Sequence, residues 1–190
     1  DIQDLVLGAQ ASTVTFTDPQ LRLDLGSIAK GYAVEAAARA AEARGMDSAL
    51  LNVGGNVRAI GKKPDGSPWT AGVDNPWTEG SGEPVSTVQL APGQCLVVSG
   101  DYQRYFTVDG VRYHHLIDLS TLQPARYASS VAVLCSDSGQ GDALSTGLFC
   151  LPPEKGQALV EGLEGVSALW MLPDGSTVAS SGWPDQKLQN

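Results

Sequence analysis

An alanine-rich segment between residues 29 and 44 carries the clearest helical pattern in the chain. Glu35 precedes Arg39 by four residues, so the two side chains lie one turn apart on the same face, which stabilises a helix. Gly45 follows at the position where helices commonly end in a left-handed residue. The pattern therefore predicts a helix over residues 29–44.

Short apolar runs bounded by turn residues predict strands. The run Ser48–Val53 leads directly into Gly54 and Gly55, which is typical of a buried strand that enters a tight turn, although a β-bulge needs the same glycines. The other predicted strands are 69–73, 85–90 and 96–99. Asp-Gly pairs at 109–110 and 174–175 predict hairpins, because this pair tolerates the positive φ of a tight turn. Two further helices are predicted at about 142–151 and 154–163.

The predicted strands outnumber the helices and do not alternate with them regularly. This order indicates an α+β fold with mixed or antiparallel sheets and a few packed helices. The most loop-like stretch, residues 75–84, is dominated by Asn, Pro, Gly, Ser and Glu and has no apolar period. It is too short to separate two domains, so we expect residues 1–190 to form a single domain.

The net charge, the length of the apolar runs and the spacing of the cysteines exclude several kinds of partner and site. The formal net charge is -9, and binding a phosphate backbone requires clusters of Lys and Arg, so we expect no nucleic-acid partner. No run of about 18 apolar residues occurs, so we expect no transmembrane segment in this chain. Cys95, Cys135 and Cys150 lack the CxxC spacing, and they predict buried apolar side chains rather than a zinc site or a disulfide framework.

A lysine between glycines stands where the first predicted helix begins. In the segment DLGSIAKGY (residues 24–32), Gly26 and Gly31 allow another group to approach the backbone closely. The unpaired N–H groups of a helix N-terminus and the mobile charge of Lys30 suit a phosphate ligand, although the spacing is not that of a P-loop. In the structural alternative, Ser27 caps the helix and Lys30 points into solvent.

The two histidines of the chain, His114 and His115, are adjacent in a predicted strand. Neighbouring strand residues point to opposite faces, so the pair is not a two-histidine metal clamp. One histidine can face a site while the other faces the core.

Asp142 and Thr146 are four residues apart in a predicted helix and therefore project from one face. A carboxylate and a hydroxyl are hard oxygen ligands that suit Mg²⁺, which keeps waters and completes its shell with substrate phosphates. The structural alternative is that Asp142 is a favourable acid in the first helical turn and Thr146 a packed residue.

Five segments follow one another along the chain: DLGSIAKGYAVE from residue 24, NVGGN from 52, VSGDYQRYF from 98, HHLIDLSTLQP from 114 and GDALSTG from 141. Together and in this order they resemble the signature segments of the ApbE-type FAD:protein FMN transferases. The corresponding family patterns are DLGGIAKGYAVD, NxGGD, TSGxYxRxF, HHIIDPxTGxP and aDALsTa. This chain has Asn56, Leu119 and Leu122 where the family has Asp, Pro and Gly. An amide at position 56 keeps hydrogen bonding but not charge.

The resemblance implies a role for each matching residue. At the metal it implies the backbone carbonyl of Ala29 with Asp142 and Thr146. At the FAD site it implies Lys30, Gly54, Gly55, Ser99, Tyr102, His115 and Asp118. The base that activates the acceptor hydroxyl stays open among Asp142, His115 and a metal-bound water.

The activity implied by the resemblance is a Mg²⁺-dependent transfer. FAD is the substrate, its FMN half is attached to a Thr or Ser of an acceptor protein, and AMP leaves. Two alternatives stay open: hydrolysis of FAD to FMN and AMP, and FAD binding without turnover. The family also implies a bacterial, extracytoplasmic location, in the periplasm or on the outer face of the cell membrane, with a lipid anchor as one option.

Family members usually carry an additional N-terminal stretch that supplies part of the flavin pocket. No equivalent precedes Asp1 in this sequence. Three readings stay open: the stretch is lost, it is a separate piece, or the chain is incomplete.

Overall fold

The computed structural model describes residues 2–78 and 80–184. The helices are α1 (Ala29–Ala43), α2 (Ser138–Phe149) and α3 (Pro153–Glu161). The strands are β1 (Leu5–Gly8), β2 (Thr13–Phe16), β3 (Ser48–Val53), β4 (Asn56–Gly61), β5 (Trp69–Val73), β6 (Ser86–Leu90), β7 (Cys95–Gly100), β8 (Tyr105–Val108), β9 (Val111–His114), β10 (Ile117–Asp118), β11 (Gln123–Pro124), β12 (Ser130–Cys135), β13 (Ser167–Met171) and β14 (Thr177–Ala179).

A six-stranded sheet with the order β14-β13-β12-β7-β4-β3 forms the centre of the fold, and its neighbouring strands pair antiparallel. Alternate residues of β12 point to opposite faces. Val131 and Val133 pack with Leu148 and Phe149 of α2, whereas Leu134 packs with the β5–β6 hairpin. The sheet therefore lies between a helical layer and a two-stranded layer, and the predicted α+β class is confirmed.

The first predicted helix and the strand after it are confirmed. Helix α1 ends one residue before the prediction, and Gly45 has the expected positive φ, of 87°. The N-cap of α1 is Ile28, without a side-chain hydrogen bond, so the alternative in which Ser27 caps the helix is wrong. Gly54 and Gly55, both at positive φ, form the tight turn between β3 and β4, so the β-bulge alternative is also wrong.

Helix α2 begins at Ser138, four residues before the predicted start. Its N-cap is Asp137, whose carboxylate accepts a hydrogen bond from the Gln140 N–H at 2.9 Å. Glycines at positions 139 and 141 lower the helix propensity of this segment, so the sequence pattern placed the start of the helix too late. Gly141 is required by packing, because a Cβ there would lie 2.7 Å from the Val97 side chain.

The three cysteines are free thiols, as the sequence predicts. Cys95 and Cys135 are buried, and Cys150 is half-buried. The described part of the chain contains no helix of the length and hydropathy needed to cross a membrane.

Candidate active site

A cleft of about 720 Å³ opens where α1, α2 and β7 meet the segment after β9. It is lined by Asp24, Gly26, Ser27, Lys30, Gly54, Val98, Ser99, Gly100, Gln103, Arg104, His115, Leu116, Leu119, Asp142 and Thr146. The volume lies in the range of small-molecule sites. Six of the residues singled out from the sequence therefore meet here: Lys30, Gly54, Ser99, His115, Asp142 and Thr146.

Asp142 lies against the N-terminus of α1, not in the first turn of its own helix. It is the fifth residue of α2 and buried, and its Oδ2 accepts a hydrogen bond from the Gly31 N–H at 2.8 Å. The first N–H groups of a helix have no intrahelical partner, and the helix dipole makes this end positive, so a carboxylate is stabilised there. The first-turn interpretation of Asp142 is therefore wrong.

Lys30 connects three elements at one edge of the cleft. Its Nζ donates to the carbonyl of Gly54 at 2.9 Å and lies 3.6 Å from Oδ1 of Asp142. About a third of its side chain is exposed, so it is neither buried nor simply directed into solvent. The ammonium is available to an anionic ligand that enters the cleft.

Hydroxyl groups surround the next turn of α2. The Oγ of Ser99 lies 2.8 Å from the Oγ of Ser145 and 3.4 Å from Oγ1 of Thr146, and the Ser145 hydroxyl donates to the Asp142 carbonyl at 3.1 Å. Asp142 and Thr146 both line the cleft, as their spacing predicts. The Thr146 hydroxyl therefore lies at the edge of a small group of hydroxyls in the cleft.

The donor set suits a divalent cation that shares its shell with a phosphate. The described residues contain no group of three or more His, Cys, Asp or Glu side chains arranged to hold a metal. Among them, no N–H or hydroxyl group donates to Oδ1 of Asp142, so this oxygen is available to a cation together with the Thr146 hydroxyl. Hard oxygen donors of this kind fit Mg²⁺ if substrate oxygens and water complete the shell.

An ion-pair network centred on the buried side chains of Glu35 and Arg58 holds α1, α2 and β4 together. Oε2 of Glu35 accepts from Arg58 Nε and from the Ser138 N–H, both at 3.0 Å, and Oε1 accepts from Arg39 Nε at 2.9 Å. Arg39 also reaches Asp137, the N-cap of α2. Burial raises the pKa of Glu35, but hydrogen bonds from Arg58, the Ser138 N–H and Arg39 outweigh it and lower the pKa from 4.5 to about 2.

This depressed pKa predicts a pH dependence of folding. A carboxyl whose pKa is lower in the folded state stabilises the fold fully above its unfolded pKa of 4.5, and this stabilisation is lost as the pH falls toward 2. We expect the Glu35 contribution to be roughly 3 kcal/mol. Urea unfolding of wild type and Glu35→Gln between these pH values isolates it, since other acids are common to both. Equal slopes of stability against pH for the two proteins would contradict the assignment.

The two histidines lie on opposite sides of their segment, as the strand pattern predicts. His115 is exposed at the cleft, and its Nδ1 lies 3.3 Å from the carbonyl oxygen of Arg104. His114 is buried, packs edge-on against Phe149, and makes a 2.9 Å hydrogen bond from Nε2 to the Ala125 carbonyl. Burial lowers the pKa of His114. His114 is therefore a core residue.

Asp118 does not line the cleft and instead stabilises the turn that follows it. Its Oδ1 accepts from the Ser120 N–H at 2.8 Å and from the Ser120 hydroxyl at 2.7 Å, and its Oδ2 accepts from the Tyr127 hydroxyl at 3.1 Å. The bonds from Ser120 and Tyr127 hold the pKa of Asp118 below its usual value. The turn keeps a left-handed residue at Leu122, with φ 57°, where the family pattern has glycine.

We expect Leu122→Gly to stabilise the protein. The leucine is 74% exposed, so little apolar burial is lost, and the left-handed backbone costs a residue with a Cβ roughly 1 kcal/mol. Thermal unfolding of wild type and variant measures the gain. Leu119→Gly, in the same turn and 84% exposed but without positive φ, serves as the control and should not stabilise.

The three remaining site residues predicted from the sequence do not line the cleft. Tyr102 is buried, and its ring packs so closely on Gly100 that a Cβ there would overlap it. Gly55 lies in the β3–β4 turn, where a Cβ would be 3.2 Å from the Val98 carbonyl oxygen. Ala29, the first residue of α1, is exposed next to the cleft.

Asn56 is fully buried, and neither of its amide atoms has a hydrogen-bond partner among the described residues.

The sequence analysis did not select Asp24, Gln103 or Arg104 as site residues, although they line the cleft. Each belongs to one of the five segments, so membership of a segment was a usable signal. Asp24 accepts a hydrogen bond from the Gly26 N–H at 2.6 Å, which shapes the approach to α1.

Comparison with known proteins relates the chain to flavin transferases. It is 37% identical over 183 residues to the FAD:protein FMN transferase of Treponema pallidum (strain Nichols), which covers 92% of this chain and 50% of that protein. The corresponding values for the enzyme of Klebsiella pneumoniae (strain 342) are 34% over 180 residues, 94% and 54%. The chain thus spans about half the length of these relatives.

Solved structures of ApbE proteins have the same fold as this chain. The ApbE protein of Thermotoga maritima superposes with a TM-score of 0.85 at 34% identity, over 95% of this chain and 58% of that one. The flavin transferase ApbE of Vibrio cholerae gives a TM-score of 0.80 at 30% identity, over 95% and 57%. The sequence profile described as the ApbE family matches residues 1–170. With the family profile, the relatives and the fold in agreement, the chain belongs to the ApbE family.

Proposed function

We propose that this chain acts as a FAD:protein FMN transferase, which attaches the FMN half of FAD to a Thr or Ser of an acceptor protein and releases AMP. The observation that carries the proposal is the meeting of Lys30, Asp142 and Thr146 at the N-terminus of α1, inside a cleft of small-molecule size. A helix N-terminus with a lysine is suited to a pyrophosphate. The activity named for the relatives supports this choice of substrate.

In the proposed mechanism, different residues bind the pyrophosphate, hold the metal ion and position the two helices. Lys30, at the positive N-terminal end of α1, binds the pyrophosphate, while Asp142, Thr146 and the Ala29 carbonyl are the candidate Mg²⁺ ligands. Mg²⁺, when bound, supplies positive charge against the charge that develops on the phosphate. The hydrogen bonds of Glu35 hold α1 and α2 in a fixed relative position, so Lys30 and the Asp142 carboxylate stay next to each other.

His115 is suited to accept the proton of the acceptor hydroxyl. A carbonyl oxygen only accepts hydrogen bonds, so in the neutral imidazole the contact with Arg104 places the proton on Nδ1 and leaves Nε2 as the acceptor. The side chain is exposed at the cleft, where an acceptor protein must enter. A neutral imidazole is a competent general base.

Mass spectrometry after incubation with FAD, Mg²⁺ and a candidate acceptor protein tests the proposed function. Covalent FMN on the acceptor, together with AMP, is the expected result. Free FMN and AMP without a modified acceptor would indicate hydrolysis instead, and unchanged FAD would indicate a binding protein without turnover.

We expect Lys30→Met to weaken FAD binding by roughly 1 to 3 kcal/mol, the scale of a charge-assisted hydrogen bond. Methionine keeps the length of the side chain and removes its charge. Calorimetric titration with FAD measures the loss, and Lys155→Met, on the exposed surface of α3, removes the same charge away from the cleft. Equal FAD affinity for Lys30→Met and wild type would exclude Lys30 from the site.

A further inference from the structure

Lys30 and Asp142 form a charge pair of unequal mobility. The ammonium lies 3.6 Å from Oδ1, with the lysine side chain 35% exposed and the aspartate side chain 5% exposed. The carboxylate is fixed, since the Gly31 N–H holds its other oxygen at 2.8 Å. The lysine is a point charge on a flexible four-carbon stem. The positive member of the pair can therefore move away while the negative member stays in place.

The oxygen that faces Lys30 is the one a cation would need. Oδ2 of Asp142 is occupied by the backbone of α1, so Oδ1 is the oxygen left for a metal ion. Lys30 stands beside this oxygen. Two cations that approach one carboxylate oxygen repel each other, and partial burial reduces the screening of this repulsion by water.

We propose that the Lys30 ammonium occupies the place of the divalent cation at Asp142 until a phosphate draws it away. The proposal rests on the proposed function, because FAD supplies that phosphate. When the pyrophosphate enters the cleft, Lys30 leaves Oδ1 for the phosphate oxygens, and the metal takes the vacated oxygen. The two ligands thereby favour each other, and this coupling is reciprocal.

This arrangement gives one substitution two effects of opposite sign. Lys30→Met removes a ligand for FAD and also removes the competitor of the metal. FAD binding weakens, whereas metal binding in the absence of FAD becomes stronger, by about tenfold or more from the repulsion removed. A lysine that only held the Gly54 turn would not strengthen metal binding when removed, because its loss would loosen the site.

Mn²⁺, used as a paramagnetic substitute for Mg²⁺, is the probe for the test. Electron paramagnetic resonance titrations of the 190-residue chain without FAD compare wild type, Lys30→Met, Lys30→Gln and Lys30→Arg. We expect both neutral variants to bind Mn²⁺ at least about tenfold more tightly than wild type, and Lys30→Arg, which keeps the charge, to resemble wild type. Thermal unfolding establishes that each variant is folded, and the second neutral variant replaces the first if that one unfolds.

A second titration in the presence of saturating FAD measures the coupling. We expect FAD to increase the Mn²⁺ affinity of wild type by a larger factor than that of Lys30→Met. Neutral variants that bind Mn²⁺ no more tightly than wild type, while wild type does bind it, would overturn the competition and leave the proposed function intact. Absence of Mn²⁺ binding to every protein, with and without FAD, would overturn both the competition and the metal-dependent function.

Discussion

Gly31→Ala is expected to destabilise the protein by about 3 kcal/mol or more and to separate α1 from α2. A Cβ at this position would lie 2.1 Å from the Ser138 carbonyl oxygen and 2.6 Å from Cβ of Asp142. Both are parts of a helix that the Glu35 network fixes, so neither can move aside cheaply. The helices must retreat, and the hydrogen bond from the residue 31 N–H to Asp142 is lost with them.

Gly147→Ala is the matched control for this substitution. Gly147 lies in the last turn of α2, and a Cβ there would meet nothing within 4 Å. Alanine should therefore stabilise by up to about 1 kcal/mol, the difference in helix propensity. Urea unfolding of both variants gives the two energies. Similar values for the two would show that the crossing of α1 and α2 is not tightly packed.

Elements with local signals were predictable from the sequence. Helix α1 has its charged pair and its terminal glycine, and the hairpin between β8 and β9 has Asp109 and Gly110, both at positive φ. Each of these signals acts over a few residues, and no distant contact is needed to interpret it.

The start of α2 was missed although Asp137, followed three residues later by Gln140, is a local N-cap signal. The first turn contains glycine, a poor helix former, and distant residues pack against it. Gly139 lies against the backbone of Tyr32, and the Ser138 N–H donates to Glu35. Tertiary contacts therefore overrode local propensity.

The composition of the site was predictable from the five segments, but their contacts were not. Gly31 and Asp142 are 111 positions apart, and no spacing rule indicates that the carboxylate of one helix meets the N-terminus of another. For the same reason the sequence did not separate Tyr102, which packs under Gly100, from its neighbour Gln103, which lines the cleft. The family pattern records which residues recur, and the fold decides which of them face the ligand.

Asp142→Asn is expected to reduce FMN transfer by orders of magnitude while FAD still binds. The amide oxygen can keep the hydrogen bond from the Gly31 N–H, so the packing of α1 on α2 is retained. The negative charge is lost, and with it the strongest anionic ligand of the candidate Mg²⁺ site. Because the metal offsets charge that develops in the transition state, the loss falls on turnover more than on substrate binding.

Asp137→Asn provides the control on the same helix. It removes an equal charge, and asparagine is as good an N-cap as aspartate, so α2 keeps its start. We expect this variant to retain nearly wild-type transfer.

The decisive measurement is FMN transfer to the acceptor, followed by mass spectrometry across a series of Mg²⁺ concentrations, for wild type, Asp137→Asn and Asp142→Asn, with thermal unfolding in parallel. We predict saturable, Mg²⁺-dependent transfer by the first two proteins and almost none by Asp142→Asn at any Mg²⁺ concentration that saturates wild type. An Asp142→Asn protein that folds normally and keeps the wild-type response to Mg²⁺ would contradict the assignment of the metal site and of the proposed mechanism.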